Sequence, residues 1–100
     1  MGGVSTWFKE FAYELAEKLA EPAGRCAIHV TFEDDAGQRW TEAFFLEKPV
    51  IPEPLYGLFD ENRVFVAVIA HTENREELAR AVLKAVAEVS EGITVFAKVV

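Results

Sequence analysis

The most constraining feature of this sequence is a nine-residue segment, Arg25 to Glu33, in which side-chain character alternates at every position. A period of two is typical of a β-strand whose two faces meet different surroundings. Cys26 and every second residue after it form an apolar face, which we assign to the core. The other face, called here the second face, carries Arg25, Ala27, His29, Thr31 and Glu33.

The segment Asp34–Gly37 predicts a tight turn into a second strand. If Gly37 takes the left-handed conformation, the turn is a three-residue hairpin loop with a bulge at the glycine. The resulting register places three favourable pairs on the second face: Glu33 with Arg39, Thr31 with Thr41, and Arg25 with Glu47. Glu42 then falls on the core face, either as an inward charge on an edge strand or as part of a polar pocket.

Helical periodicity predicts two amphipathic helices, one over Ser5–Glu21 and one from Asn74 to Gly92. A valine-rich strand, Arg63–Ala70, precedes the second helix, and a last strand, Ile93–Val100, follows it. Residues 48–62 form a proline-rich apolar loop, because the prolines there disfavour a helix or a central strand. The loop covers either its own sheet or a neighbouring subunit.

These elements predict one domain over residues 1–100 in the order α-β-β-β-α-β. The fold class is α/β (α+β): a two-layer sandwich in which both helices cover one face of a four-stranded mixed sheet. The strand Arg63–Ala70 is expected to be central, since both of its sides are apolar. A right-handed crossover through the second helix makes the last two strands parallel.

The second face is unusually aromatic and basic for a surface left in water. We expect it to carry Phe45, Phe65, Ile69 and Phe96 with His29, Arg39, Arg63 and Lys98. Trp40 and Tyr56 would join this set if the proline-rich loop folds over the rim. Such a face is typically covered by a partner subunit, by stacked bases or by a small ligand.

Charge and composition narrow the possible functions. The net charge of −7 disfavours general duplex-DNA binding but is compatible with a locally basic groove. No apolar run is long enough to span a bilayer and the N-terminus lacks a signal pattern, so we expect a cytoplasmic protein. The single cysteine, Cys26, is predicted to be a buried hydrophobe, and two histidines make a poor metal site.

No nucleophile motif or phosphate-binding glycine loop is present, so we predict neither an enzyme nor a cofactor. The five Asn, Gln, Met and Cys residues, beside 27% charged residues, are typical of a thermophile.

The leading helix, the hairpin, the proline-rich apolar loop and the closing β-α-β unit, with this composition, resemble the ThermoDBP-related single-stranded-DNA-binding proteins of hyperthermophilic archaea. The resemblance spans nearly the whole chain and lies in the order and character of its elements. It implies a non-catalytic homo-oligomer that shelters single-stranded DNA in hydrophobic channels. We therefore predict sequence-tolerant binding of single-stranded nucleic acid, with a protein–protein interaction or oligomerisation module as the alternative.

Overall fold

The structure is a computed structural model that describes residues 5–48 and 55–100. This part of the chain forms two helices and five strands: α1 Thr6–Ala20, β1 Arg25–Glu33, β2 Arg39–Glu47, β3 Leu55–Asp60, β4 Phe65–Ala70, α2 Arg75–Ser90 and β5 Ile93–Val99. The strands form one sheet in the order β4-β3-β2-β1-β5, and every neighbouring pair is antiparallel. The helices pack on one face, which gives an α+β fold with two layers.

The predicted four-stranded mixed sheet is wrong in detail. The segment 48–62, predicted to be a loop, contains β3, which pairs with both β2 and β4; residues 49–54 lie outside the described residues. The additional strand moves β4 from the predicted central position to an edge. The crossover through α2 then leads to the opposite edge, where β5 pairs with β1, so β4 and β5 do not pair.

The β1–β2 hairpin has the predicted register along its whole length. Gly37 adopts φ of 82°, the left-handed conformation that the turn requires. Two of the predicted cross-strand pairs form hydrogen bonds on the second face: Arg39 Nε donates to Glu33 Oε1 at 2.7 Å, and the hydroxyls of Thr31 and Thr41 are 2.9 Å apart. The turn chemistry and the side-chain pairing therefore specify the same hairpin.

The core lies between the sheet and the helices. The largest fully buried side chains come from α1, from β1 to β3 and from α2: Phe11, Leu15, Leu19, Ile28, Val30, Phe32, Phe44, Leu46, Leu58, Val82 and Val86. Full burial of a Leu, Ile, Val or Phe side chain stabilises a fold by about 1.5–3 kcal/mol. This face of the sheet is thus the one that holds the two layers together, and no helix of the described residues packs on the other face.

The two helices begin differently. Asn74 caps α2, because its Oδ1 accepts hydrogen bonds from the N–H groups of Glu76 and Glu77 at 3.0 and 3.1 Å. Ser5 occupies the cap position of α1, but its side chain makes no capping hydrogen bond. Among residues 5–48 and 55–100, no helix is long and apolar enough to cross a bilayer.

Candidate nucleic-acid interface

The second face is the side of the sheet opposite the helices, and it is therefore an open face. This open face carries an aromatic row that crosses three neighbouring strands. The sheet register places Phe45 opposite Phe59, and Phe59 opposite Phe65. Phe65 is 56% exposed, and the other two rings are half-buried. The rings of Phe59 and Phe65 meet edge to face, with centroids 5.9 Å apart. The sequence pattern does not indicate Phe59 as part of this face, because it lies in the segment predicted to be a loop.

A β-bulge at Val66 decides which β4 side chains reach the open face. The register shifts by one residue there, so the alternation of β4 reverses. Phe65, before the bulge, lies on the open face as predicted. Ile69, beyond it, lies on the core face and is only 4% exposed, so its predicted place on the second face is wrong. Val68 takes that place on the open face and is 56% exposed.

The β3–β4 turn holds Arg63 in the left-handed conformation, with φ of 65°. The N–H of Arg63 donates to the carbonyl oxygen of Asp60 at 2.9 Å, and Asp60 Oδ1 accepts from the N–H groups of Asn62 and Val64. The same hydrogen bonds form in the β1–β2 turn, where Gly37 occupies the equivalent position. A side chain in this conformation costs about 1–2 kcal/mol, which glycine avoids.

The strained position brings the Arg63 guanidinium to the aromatic row. Its central carbon lies 5.2 Å from the centroid of the Phe45 ring, within the range of a cation–π interaction. One guanidinium nitrogen is 3.5 Å from a carboxylate oxygen of Glu47. Both contacts are on the open face, so the turn places a cation directly over one end of the row.

A shallow hollow of about 230 Å³ adjoins the same end of the row. The Phe45 ring lines it together with three cations, Lys18, Arg25 and Arg63, and one carboxylate, Glu47. Within the described part of the chain, Lys18 and Arg25 take part in no ion pair. The hollow is therefore locally positive in a protein whose net charge is −7. The sequence pattern does not indicate Lys18 as part of this surface, because it lies on α1.

The remaining predicted residues of the open face lie away from this end. Phe96 is 39% exposed, but its ring packs 5.8 Å from that of Trp7, so it is turned towards α1. Lys98 lies opposite His29 on β5, the edge strand at the far side of the sheet from β4. Arg39 pairs with a β1 carboxylate about 20 Å along β2 from the aromatic row. The structure thus groups Phe45, Phe65 and Arg63 and places Phe96 and Arg39 away from them, whereas His29 lies on β1 two residues from the position opposite Phe45.

Trp40 and Tyr56 lie on the core side of the sheet, so the described residues do not bring them to the open face. The Trp40 ring packs against that of Phe32 at 5.6 Å, and it approaches Gly92 so closely that a Cβ there would lie 2.8 Å from it. Tyr56 is 5% exposed, and its hydroxyl is 2.9 Å from His71 Nδ1. Burial raises the pKa of Tyr56 above its ordinary value.

Glu42 lies opposite Val30 on the core side, as the hairpin register predicts. Its carboxylate is half-buried and accepts a 2.7 Å hydrogen bond from the indole N–H of Trp40. β2 pairs with β3 only from Phe44 onwards, so Glu42 stands on a locally unpaired edge. This arrangement favours the inward-charge interpretation over a polar pocket. His29 lies on the opposite face, so the two do not form an acid–base pair.

The described residues favour neither a metal site nor a reactive thiol. No three His, Cys, Asp or Glu side chains among residues 5–48 and 55–100 are placed to hold a metal ion. Cys26 is 4% exposed, and burial raises the pKa of its thiol to about 11. A buried neutral thiol is a poor nucleophile and a poor ligand.

No protein-family model, curated protein or solved structure matches this chain. Function is therefore inferred from the chemistry of the open face.

Proposed function

We propose that this protein binds single-stranded nucleic acid and catalyses no reaction, with bases stacked on the aromatic row and phosphates held at the adjoining hollow. The observation that carries this proposal is the juxtaposition of the two. Phe45, Phe59 and Phe65 form a row across three strands, and a cluster of cations lies at one end of it. Sequence-tolerant single-strand binders combine aromatic rings that stack bases with cations that follow the backbone.

Phe65 is the most accessible stacking surface, since it is the most exposed ring of the row. Phe59 meets it edge-on and supports its orientation. At the other end, Arg63 covers the Phe45 ring, so a base there would stack on the planar guanidinium. The row therefore offers two stacking positions of different character, one aromatic and one cationic.

The strands of the open face are less acidic than the protein as a whole. They place three cations there, Arg25, Arg39 and Lys98, against two carboxylates, Glu33 and Glu47. The β3–β4 turn adds Arg63 but also carries Asp60 and Glu61, so the positive charge is concentrated at the hollow. A duplex presents a denser phosphate field and buries its bases, so this face suits a single strand better.

Fluorescence anisotropy of a labelled, mixed-sequence single strand tests the proposal, with Phe65→Ala as the diagnostic variant. Because a stacked base contributes about 1–3 kcal/mol, the variant is expected to weaken binding roughly 5- to 150-fold. Tyr13→Ala is the matched control. Tyr13 is an aromatic residue of similar exposure, 51%, but it lies on α1 away from the open face. Its removal should leave the affinity unchanged.

The cations of the hollow are tested by salt dependence. Arg25→Ala and Lys18→Ala should each lower the slope of log affinity against log salt by about 0.7, the value for one phosphate of a single strand. Absence of binding at about 100 μM protein in low salt, or equal affinity for the matching duplex, would count decisively against the proposal. If no binding is found, the alternative function, a protein–protein interaction module, remains. The exposure of Phe65 and Val68 is consistent with that function as well.

A further inference from the structure

Glu47 places a carboxylate among the cations of the hollow. Its side chain is 34% exposed, and among the described residues it pairs only with Arg63, at 3.5 Å between one guanidinium nitrogen and Oε2. A charge-assisted hydrogen bond would be shorter, about 2.7–2.9 Å. Arg25 lies opposite Glu47 in the sheet but does not pair with it. The carboxylate therefore keeps most of its capacity to accept a hydrogen bond from a ligand.

This carboxylate opposes the binding of phosphate at the hollow. Two like charges brought together repel each other, so Glu47 lowers the affinity for a strand unless the strand also donates a hydrogen bond to it. Phosphate diesters have no donor. The donors of a single strand are the N–H groups of its bases and, in RNA alone, the 2′-hydroxyl of each ribose. The position of Glu47 on the sheet distinguishes these two kinds of donor.

The stacking group, the carboxylate and the cation follow one another across the open face. The Arg63 guanidinium over Phe45 is the stacking position at this end of the row. Glu47 lies two residues beyond Phe45 on the same face, about 7 Å along β2. Arg25 lies opposite Glu47 on β1, about 5 Å across the sheet. Base, sugar and phosphate have the same order within a nucleotide, so Glu47 stands where the sugar would lie.

We propose that the strand bound at this face is RNA, and that Glu47 accepts a hydrogen bond from the 2′-hydroxyl of the nucleotide stacked on Arg63. The inference rests on the proposed function and narrows its ligand to single-stranded RNA. In the RNA complex the hydrogen bond offsets the repulsion between the carboxylate and the phosphates. In a DNA complex the repulsion remains, because deoxyribose has no donor there. Glu47 is thus the residue that determines the preference for one sugar.

Fluorescence anisotropy with three labelled strands of one sequence tests this preference: RNA, DNA, and RNA with fluorine in place of each 2′-hydroxyl. The fluorinated strand keeps an RNA-like sugar but cannot donate. The wild type should bind RNA about tenfold more tightly than either of the others, since a hydrogen bond to a charged group is among the stronger ones. Glu47→Ala should bring the three affinities together, mainly by raising the affinity for DNA.

Glu33→Ala is the matched control. Glu33 is the other carboxylate on the strands of the open face, its side chain is 35% exposed, and it pairs with Arg39 outside the hollow. Its removal should leave the tenfold ratio between RNA and DNA unchanged.

Equal binding of RNA and DNA by the wild type would overturn the preference for RNA and leave the proposed function standing. A preference that survives Glu47→Ala, or that Glu33→Ala also abolishes, would overturn the role of Glu47. Fluorinated RNA that binds as tightly as RNA would overturn it too, because sugar conformation would then explain the preference. Failure of the wild type to bind any of the three strands would overturn both this inference and the proposed function.

Discussion

Substitutions at the equivalent positions of the two hairpin turns separate the strain at Arg63 from the contacts of its side chain. The turns share their hydrogen bonds and differ in having Gly37 in one and Arg63 in the other. Arg63→Ala removes the contacts with Phe45 and Glu47 but keeps the strain. Arg63→Gly removes both. Gly37→Ala introduces the strain alone, because a Cβ there would meet nothing within 4 Å.

The structure sets the expected size of each effect. An exposed cation–π contact contributes about 0.5–1 kcal/mol, and an exposed ion pair about 0.2–1 kcal/mol. Since Arg63 is 69% exposed in its ion pair, solvent screens it, and we expect Arg63→Ala to cost about 1 kcal/mol in total. The left-handed conformation costs a side chain about 1–2 kcal/mol, of which about 0.4–1 kcal/mol is offset in the unfolded chain. Gly37→Ala should therefore cost about 1 kcal/mol.

Urea denaturation followed by tryptophan fluorescence measures all three free energies of unfolding. Arg63→Gly should be more stable than Arg63→Ala by about the amount that Gly37→Ala costs, because both comparisons report the same backbone term. The cost of Arg63→Ala should shrink at about 1 M salt, where exposed charges are screened. If alanine is more stable than glycine at position 63, the left-handed strain is absent and the reasoning fails. If Arg63→Ala costs nothing, the contacts do not offset the strain.

Two further predictions concern residues away from the open face. Asn74→Ala should destabilise the protein by about 0.5–2 kcal/mol through loss of the α2 cap, whereas Ser5→Ala should change little; equal costs in urea denaturation would contradict the difference between the two caps. Burial raises the pKa of the Cys26 thiol from 9.0 to about 11. The buried neutral thiol therefore contributes to the free energy of unfolding fully below pH 9, and this contribution is lost as the pH rises towards 11. Stability measured against pH should therefore fall more steeply in the wild type than in Cys26→Ala, and parallel curves would refute this.

Sequence patterns predicted the β1–β2 hairpin in full because its information is local. The glycine of the turn, the alternation of both strands and the cross-strand pairs all specify one register. The β3–β4 hairpin uses the same turn but has Arg63 where a glycine would have signalled it. The only shared sign was an aspartate three residues earlier, Asp34 in one turn and Asp60 in the other, whose carboxylate accepts two backbone hydrogen bonds.

The strand β3, which the sequence does not predict, explains most of the errors in the residues predicted for the open face. Without β3, the sequence predicts that the strand Arg63–Ala70 is central and that its two faces alternate without the bulge at Val66. That bulge reverses the faces beyond it, which exchanges Ile69 for Val68. A bulge depends on how two strands pair, so the composition of one strand does not reveal it. Phe65 was placed correctly because it lies before the bulge.

The position of β5 beside β1 has a consequence for how the protein folds. The hairpins from β1 to β4 bring together residues that are near in sequence, whereas Glu33 pairs with Ile93, sixty positions later. Closing that long loop carries the larger entropic cost, so we expect the four-stranded meander to form first and β5 to dock last. Mutations at Ala97 should then mainly accelerate unfolding, and a φ-value near one there would contradict this order. Until β5 docks, the sheet has an open edge at β1 as well as at β4.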